Sequence, residues 1–126
     1  MAVYIDFDYS MEQNMYGDIE LKEDAYAVRQ SMIDIILTKV GERGEYEPEY
    51  GSRVFNFLME KINPIFASMI GDEIETALTN WEPRIRLTKI EVVPKPDDNH
   101  YDITIHYNLI RLTESDVLNL QMQKIG

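Results

Sequence analysis

Glu82 and Arg84 flank Pro83 in the run Trp81-Glu82-Pro83-Arg84-Ile85, which fixes a carboxylate and a guanidinium two residues apart. Two chemistries fit such a pair. A carboxyl held in an apolar pocket can act as a general acid. A guanidinium fork can instead grip a carboxylate that a partner presents. More carboxylates lie in the segment Gly41–Gly51, where Glu42, Glu45, Glu47 and Glu49 are interspersed with Arg43, Tyr46 and Tyr50. A glycosidase needs two carboxyls about 5–9 Å apart, one with a raised pKa, and Glu42 or Glu82 would be the acid. No aromatic-lined sugar cleft is evident, and Arg43, Arg53 and Arg84 would depress the pKa of neighbouring carboxylates. Ion pairing, within the chain or with a partner, is the simpler account of these acids.

Other chemistries have less to stand on. His100 and His106 are six residues apart, and Asp97, Asp98 and Asp102 lack the spacing of a calcium loop, so a solvated turn is preferred to a metal site. There is no cysteine, hence no thiolate ligand, thiol nucleophile or disulfide, which suits a reducing compartment. No glycine loop would cradle a phosphate, and no cofactor is implied. The chain has 23 acidic and 12 basic residues and a net charge of −11. A surface so acidic repels nucleic acid and anionic membranes and favours solubility or basic partners. Neither a signal peptide nor an apolar run of membrane-spanning length is visible, so the expectation is a soluble protein, intracellular during synthesis.

The elements that must position these residues fit a single domain of 126 residues. Val3, Ile5 and Phe7 alternate with polar residues as in a short strand. The aperiodic acidic stretch from Ser10 to Glu20 makes Met1–Asp24 an expected N-terminal arm. A first helix follows, with Glu23 and Asp24 in its first turn and Ala25, Val28, Met32, Ile35 and Ile36 inward. Thr38-Lys39-Val40-Gly41 ends it, Lys39 lying in the last turn and Gly41 free to take a left-handed cap. Gly41–Gly51 is a loop, after which Val54, Phe55, Leu58, Met59 and Ile62 resume helical spacing. Asn63 caps and Pro64 opens another helix, which carries Ile65, Phe66, Met69, Ile70, Ile74, Ala77, Leu78 and Trp81 inward. Met32, Met59 and Met69 are read as core filler. Pro83 stops the helix at Glu82, and Arg84 is expected to leave the turn on the opposite side.

Beyond Pro83 the period becomes two. Leu87, Ile90 and Val92 mark one strand, Tyr101, Ile103, Ile105, Tyr107 and Leu109 a second, and Leu118, Leu120 and Met122 a third. The fold expected is α+β, with N-terminal helices packed on an antiparallel meander of about three strands. Residues 1–24 would form an extended arm and residues 25–126 the domain.

Thr38-Lys39-Val40-Gly41-Glu42-Arg43, Glu47-Pro48-Glu49-Tyr50-Gly51-Ser52, Trp81-Glu82-Pro83-Arg84-Ile85 and the Ile103-x-Ile105-x-Tyr107 strand occur in this order. Together they resemble the small baseplate-wedge proteins of contractile-tailed phages, which are similar to the TssE-like component of type VI secretion baseplates. The resemblance spans roughly Tyr26 to Leu120. It implies a structural, non-enzymatic subunit of the phage virion, assembled in the host cytoplasm. It also implies that the subunit joins the helical core bundle of larger wedge proteins to the tail sheath and initiates the sheath by strand-edge pairing, with tail tube or hub proteins as further candidate partners. Partner binding would fall to Glu82, Pro83 and Arg84, with Glu42 and Arg43 beside them. Some family members are described as lysozyme-like, so a peptidoglycan-degrading glycosidase is the alternative from another class. A TssE-type secretion subunit and a small binding module unrelated to tails are the others.

If the turn docks, Arg84→Ala should leave the isolated fold nearly intact and block incorporation. If Glu82 or Arg84 instead pairs with Arg43 or Glu42, the loop would be clipped to the sheet.

Overall fold

The computed structural model describes residues 3–6, 19–111 and 114–125. Strand β1 (Val3–Asp6) precedes helix α1 (Ile19–Leu37), the short helix α2 (Val54–Leu58) and helix α3 (Pro64–Trp81). Strands β2 (Ile85–Lys95), β3 (His100–Leu109) and β4 (Glu114–Gln123) follow. The last three form the expected antiparallel meander, and β1 adds to it alongside β4, giving the order β1-β4-β3-β2. The first strand is thus part of the sheet. The expected arm also gives way to helix at Ile19, before Asp24, while residues 7–18 lie outside the described residues.

β3 sits centrally between β2 and β4, and its alternation is complete. Tyr101, Ile103, Ile105, Tyr107 and Leu109 are buried, while the residues between them are half-exposed on the other face. Leu118, Leu120 and Met122 continue the apolar face on β4. On β2 the core-packed residues Leu87 and Ile90 are three apart, which a regular strand would send to opposite faces. A register shift between Leu87 and Lys89 restores the phase, so that Leu87 opposes Tyr107 and Ile90 opposes Ile105. Pro94 also lies on this strand, tolerated because β2 is a sheet edge.

The helices cover the apolar face. Val28, Met32, Ile35 and Ile36 of α1, Val54 and Leu58 of α2, and Ala67, Ile70, Ile74, Ala77 and Leu78 of α3 share one core with the strands. Asn63 caps α3 as expected, its Oδ1 accepting from the Ile65 and Phe66 amides at 2.7 and 3.0 Å, with Pro64 in the first turn. Gly71 stands over β2, where a Cβ would lie 3.5 Å from a Val92 methyl, ordinary packing distance.

Three expected core residues face outward. Ile65 is 67% exposed, Met69 42% and Met59 59%. The reason is angular: the buried stripe of α3 runs through 67, 70, 74, 77 and 78, and positions 65 and 69 fall outside it. Met59 lies past the last residue of α2. α1 stops at Leu37, so Lys39 falls outside it, and Gly41 makes its turn beyond the helix with φ +92°.

Candidate functional site

Three of the four sequence motifs, Thr38–Arg43, Glu47–Ser52 and Trp81–Ile85, converge at one end of the helical layer. Leaving α1, Thr38 Oγ1 donates to the Asp34 carbonyl at 2.6 Å. Thr38 and Val40 meet Ser52 in a short parallel bridge, through Ser52 N to Thr38 O at 2.9 Å and Val40 N to Ser52 O at 3.2 Å. Ser52 Oγ donates to Ile36 O at 2.8 Å, so both ends of the loop are bound to the C-terminal end of α1. Gly51 makes this possible. Its φ is +113°, and a Cβ there would collide with the Thr38 carbonyl.

Arg43 then folds back over the loop. Its guanidinium lies 3.7 Å from the centroid of the Tyr50 ring and binds Glu47 at 2.7 Å and Asp34 at 2.9 Å. The Tyr50 hydroxyl donates to the same Asp34 carboxylate at 2.5 Å. Burial first, and this bond second, hold the Tyr50 phenol protonated well above the ordinary tyrosine range. Tyr50 also packs edge-on against Trp81, with centroids 5.1 Å apart. Glu42, exposed, receives only a long bond from the Lys39 amide at 3.4 Å. Neither Glu42 nor Arg43 is seen to pair with the Glu82 turn. The loop is therefore held to α1 and not clipped to the sheet: Arg43 pairs with Glu47 inside the loop and with Asp34 on the helix, an acid that no local sequence signal singled out.

Glu82 caps α3, its amide bonding to Leu78 O at 2.9 Å, in the non-helical conformation that a following proline imposes. Its side chain is almost fully buried, only 2% of the residue being exposed. Arg84 does not leave on the opposite side. It turns back and grips Glu82 bidentately, Nε to Oε1 at 2.7 Å and Nη2 to Oε2 at 3.0 Å, while its own amide approaches Oε1 at 3.3 Å. The reason is that a buried carboxylate needs a charged partner, and the long arginine stem reaches it. Burial pushes the Glu82 carboxyl up, but hydrogen bonds from Arg84 and from Ser31 on α1 outweigh it and hold the pKa below the usual carboxylate value. The same contact holds Arg84 charged. Half of the Arg84 side chain stays in solvent, and Pro83 is exposed beside it.

This arrangement suits docking better than acid catalysis. A general acid needs a raised pKa, whereas Glu82 is held low and clasped on both oxygens. The histidines lie elsewhere, each against a carboxylate: His100 with Asp102 at 3.0 Å and His106 with Glu91 at 3.2 Å. Among the described residues, no three His, Cys, Asp or Glu side chains gather as a metal site would require.

Known proteins carry the same plan. A protein of 28% identity over 121 residues, 96% of this chain and 90% of its own length, is the baseplate wedge protein gp25 of Enterobacteria phage T4. Among solved structures, a protein named as a candidate tail lysozyme from Geobacter sulfurreducens superimposes with a TM-score of 0.74 at 24% identity, covering 82% of this chain and 93% of that one. A chain of the type VI secretion baseplate complex gives a TM-score of 0.69 at 18% identity, covering 85% of this chain and 98% of its own. At those identities both likenesses speak for the fold alone. Residues 22–113, which include the clipped loop and the Glu82–Arg84 clasp, match the family described as baseplate wedge protein gp25, and this chain belongs to that family.

Proposed function

We propose that this chain is a non-enzymatic wedge subunit of a contractile-tail baseplate, joining larger wedge proteins to the sheath through the Glu82-Pro83-Arg84 turn and an open strand edge. The observation that carries the reading is the clasp. A buried carboxylate holds one edge of a guanidinium while the rest of that side chain stays exposed on a proline-stiffened turn, so the fork is oriented before any partner arrives. Its outer edge is suited to a carboxylate on the helical core bundle of the larger wedge proteins. Arg43 serves the turn from behind, because Arg43 fixes Tyr50 and Tyr50 fixes Trp81, while Glu42 is left exposed as a further partner contact. Among the described residues no strand pairs with the outer edge of β2, and between the register shift and Pro94 an extended sheath segment would add by main-chain hydrogen bonding and so begin the first sheath ring. Assembly in the host cytoplasm and placement in the virion follow from the same reading.

Arg84→Lys and Glu82→Gln separate docking from folding. Lysine keeps the charge and one bond to Glu82 but loses the fork, whereas glutamine leaves the arginine for the partner. Arg84→Lys should fail to enter the wedge, and Glu82→Gln, which keeps the fork but loosens its brace, should enter it less readily than the wild type. If both assemble, or both fail in step with lost stability, the docking reading is wrong. The purified chain should leave peptidoglycan intact from acidic to neutral pH, and turnover there would overturn the non-enzymatic part.

A further inference from the structure

We propose that the sheet end beside this turn is a cleft for an acidic partner segment that also carries an apolar side chain, received by Arg86 and Ile110. The inference rests on the reading of the turn as a docking element and extends it to a different set of residues.

Its basis is the uneven distribution of arginine in an acidic chain. Of the six arginines, Arg29 is buried, and Arg43 and Arg53 pair with acids of the clipped loop. The remaining three, Arg84, Arg86 and Arg111, meet at one end of the sheet. The Ile110 amide donates to Arg84 O at 3.0 Å, and Arg86 stands opposite Asn108 in the β2–β3 register. Arg84 lies in the turn with its side chain folded back on Glu82, whereas Arg86 stands on β2 next to buried Ile85 and is exposed.

A cleft of about 320 Å³ opens here, lined by Arg86, Asn108, Leu109, Ile110 and Ser115. Leu109 is buried, and Ile110 leaves 53% of its surface exposed. Ser115 Oγ donates to Asn108 Oδ1 at 2.9 Å, which leaves the Asn108 amide nitrogen as a further donor. Arg86 is exposed and meets no carboxylate among the described residues. Arg111 is tempered by Asp24 at 2.5 Å but keeps 73% of its side chain in solvent.

The Arg86 guanidinium and the Asn108 amide donor beside an exposed isoleucine complement a segment in which carboxylates flank an apolar residue. A nucleic acid would offer anions too, but its phosphates continue past the cleft onto a surface of net charge −11. A protein segment needs only local acidity.

The test uses the full chain, as wild type, Arg86→Glu and Ile110→Asp, on an array of peptides tiling the larger wedge proteins of the same particle. Melting curves confirm folding of each variant. The wild type should select peptides with acids around an apolar residue, and either substitution should weaken that binding by about tenfold or more. Selection of neutral or basic peptides, undiminished binding by Arg86→Glu, or displacement by a short single-stranded oligonucleotide would overturn the cleft. Incorporation into the wedge tells the two sites apart. If Arg84→Lys blocks it and Arg86→Glu does not, the turn stands and the cleft falls. If only Arg86→Glu and Ile110→Asp block it, the cleft stands without the turn.

Discussion

Replacing Arg84 by alanine should destabilise the isolated chain, against the sequence expectation of a nearly intact fold. Glu82 is 2% exposed, and both of its oxygens are held by Arg84, at 2.7 and 3.0 Å. Removing one member of a buried ion pair costs about 3–5 kcal/mol, mostly because the other charge is stranded. Here the arginine side chain is 51% exposed, so solvent screens part of the interaction. Ser31 also remains to serve the carboxylate. The cost at neutral pH should therefore fall to about 2–3 kcal/mol, or roughly 8–11 °C in Tm for a domain of this size.

The pH dependence identifies the cause. In the wild type the folded pKa of Glu82 is depressed, so its contribution is present above the unfolded carboxylate range and is lost as pH falls through the folded value. Without Arg84 the burial effect prevails and the folded pKa moves up. The variant's penalty is then greatest at neutral pH and is relieved as acid protonates Glu82. Urea denaturation followed by circular dichroism, at neutral pH and again toward pH ~5, measures both quantities. A loss below about 0.5 kcal/mol at neutral pH, or a loss that does not shrink on acidification, would refute the reasoning.

Two further substitutions probe the elements around the turn. Gly51→Ala places a Cβ against the Thr38 carbonyl at φ +113° and should cost about 2–4 kcal/mol, seen as a lower urea midpoint; a change under about 1 kcal/mol would mean that the loop closure is not fixed by this glycine. Asn63→Ala strips the cap from α3 and should lower stability by about 1 kcal/mol in the same assay, and an unchanged midpoint would deny the cap its role.

What the sequence made legible depended on how local the cause was. The period-two pattern of Tyr101–Leu109 reports a strand buried on one face and needs nothing distant to be read. Asn63-Pro64 and Pro83 bound α3 through restrictions on their own backbones. The outward turn of Ile65 and Met69 was not readable, because an apolar count over a helix does not locate its buried stripe until the neighbours are placed. The phase shift of β2 was hidden for a related reason: one extra residue near Thr88 lets Leu87 and Ile90 share a face against the simple rule. The candidate site divides along the same line. Its motifs were visible as residue types, and the proline correctly marked a rigid turn. What the acids and arginines pair with was not visible, since Arg43 reaches back to Asp34 on α1 and Glu82 is buried beside Ser31 of the same helix. Burial of Glu82 changes what the turn can present. A carboxylate committed to Arg84 is a brace, and the group left in solvent is the outer edge of the guanidinium. On the docking reading proposed above, the acidic and basic members of this motif would then be not two recognition elements but one recognition element and its support. That division explains why a glutamate stands at a position where a residue facing the core would ordinarily be apolar.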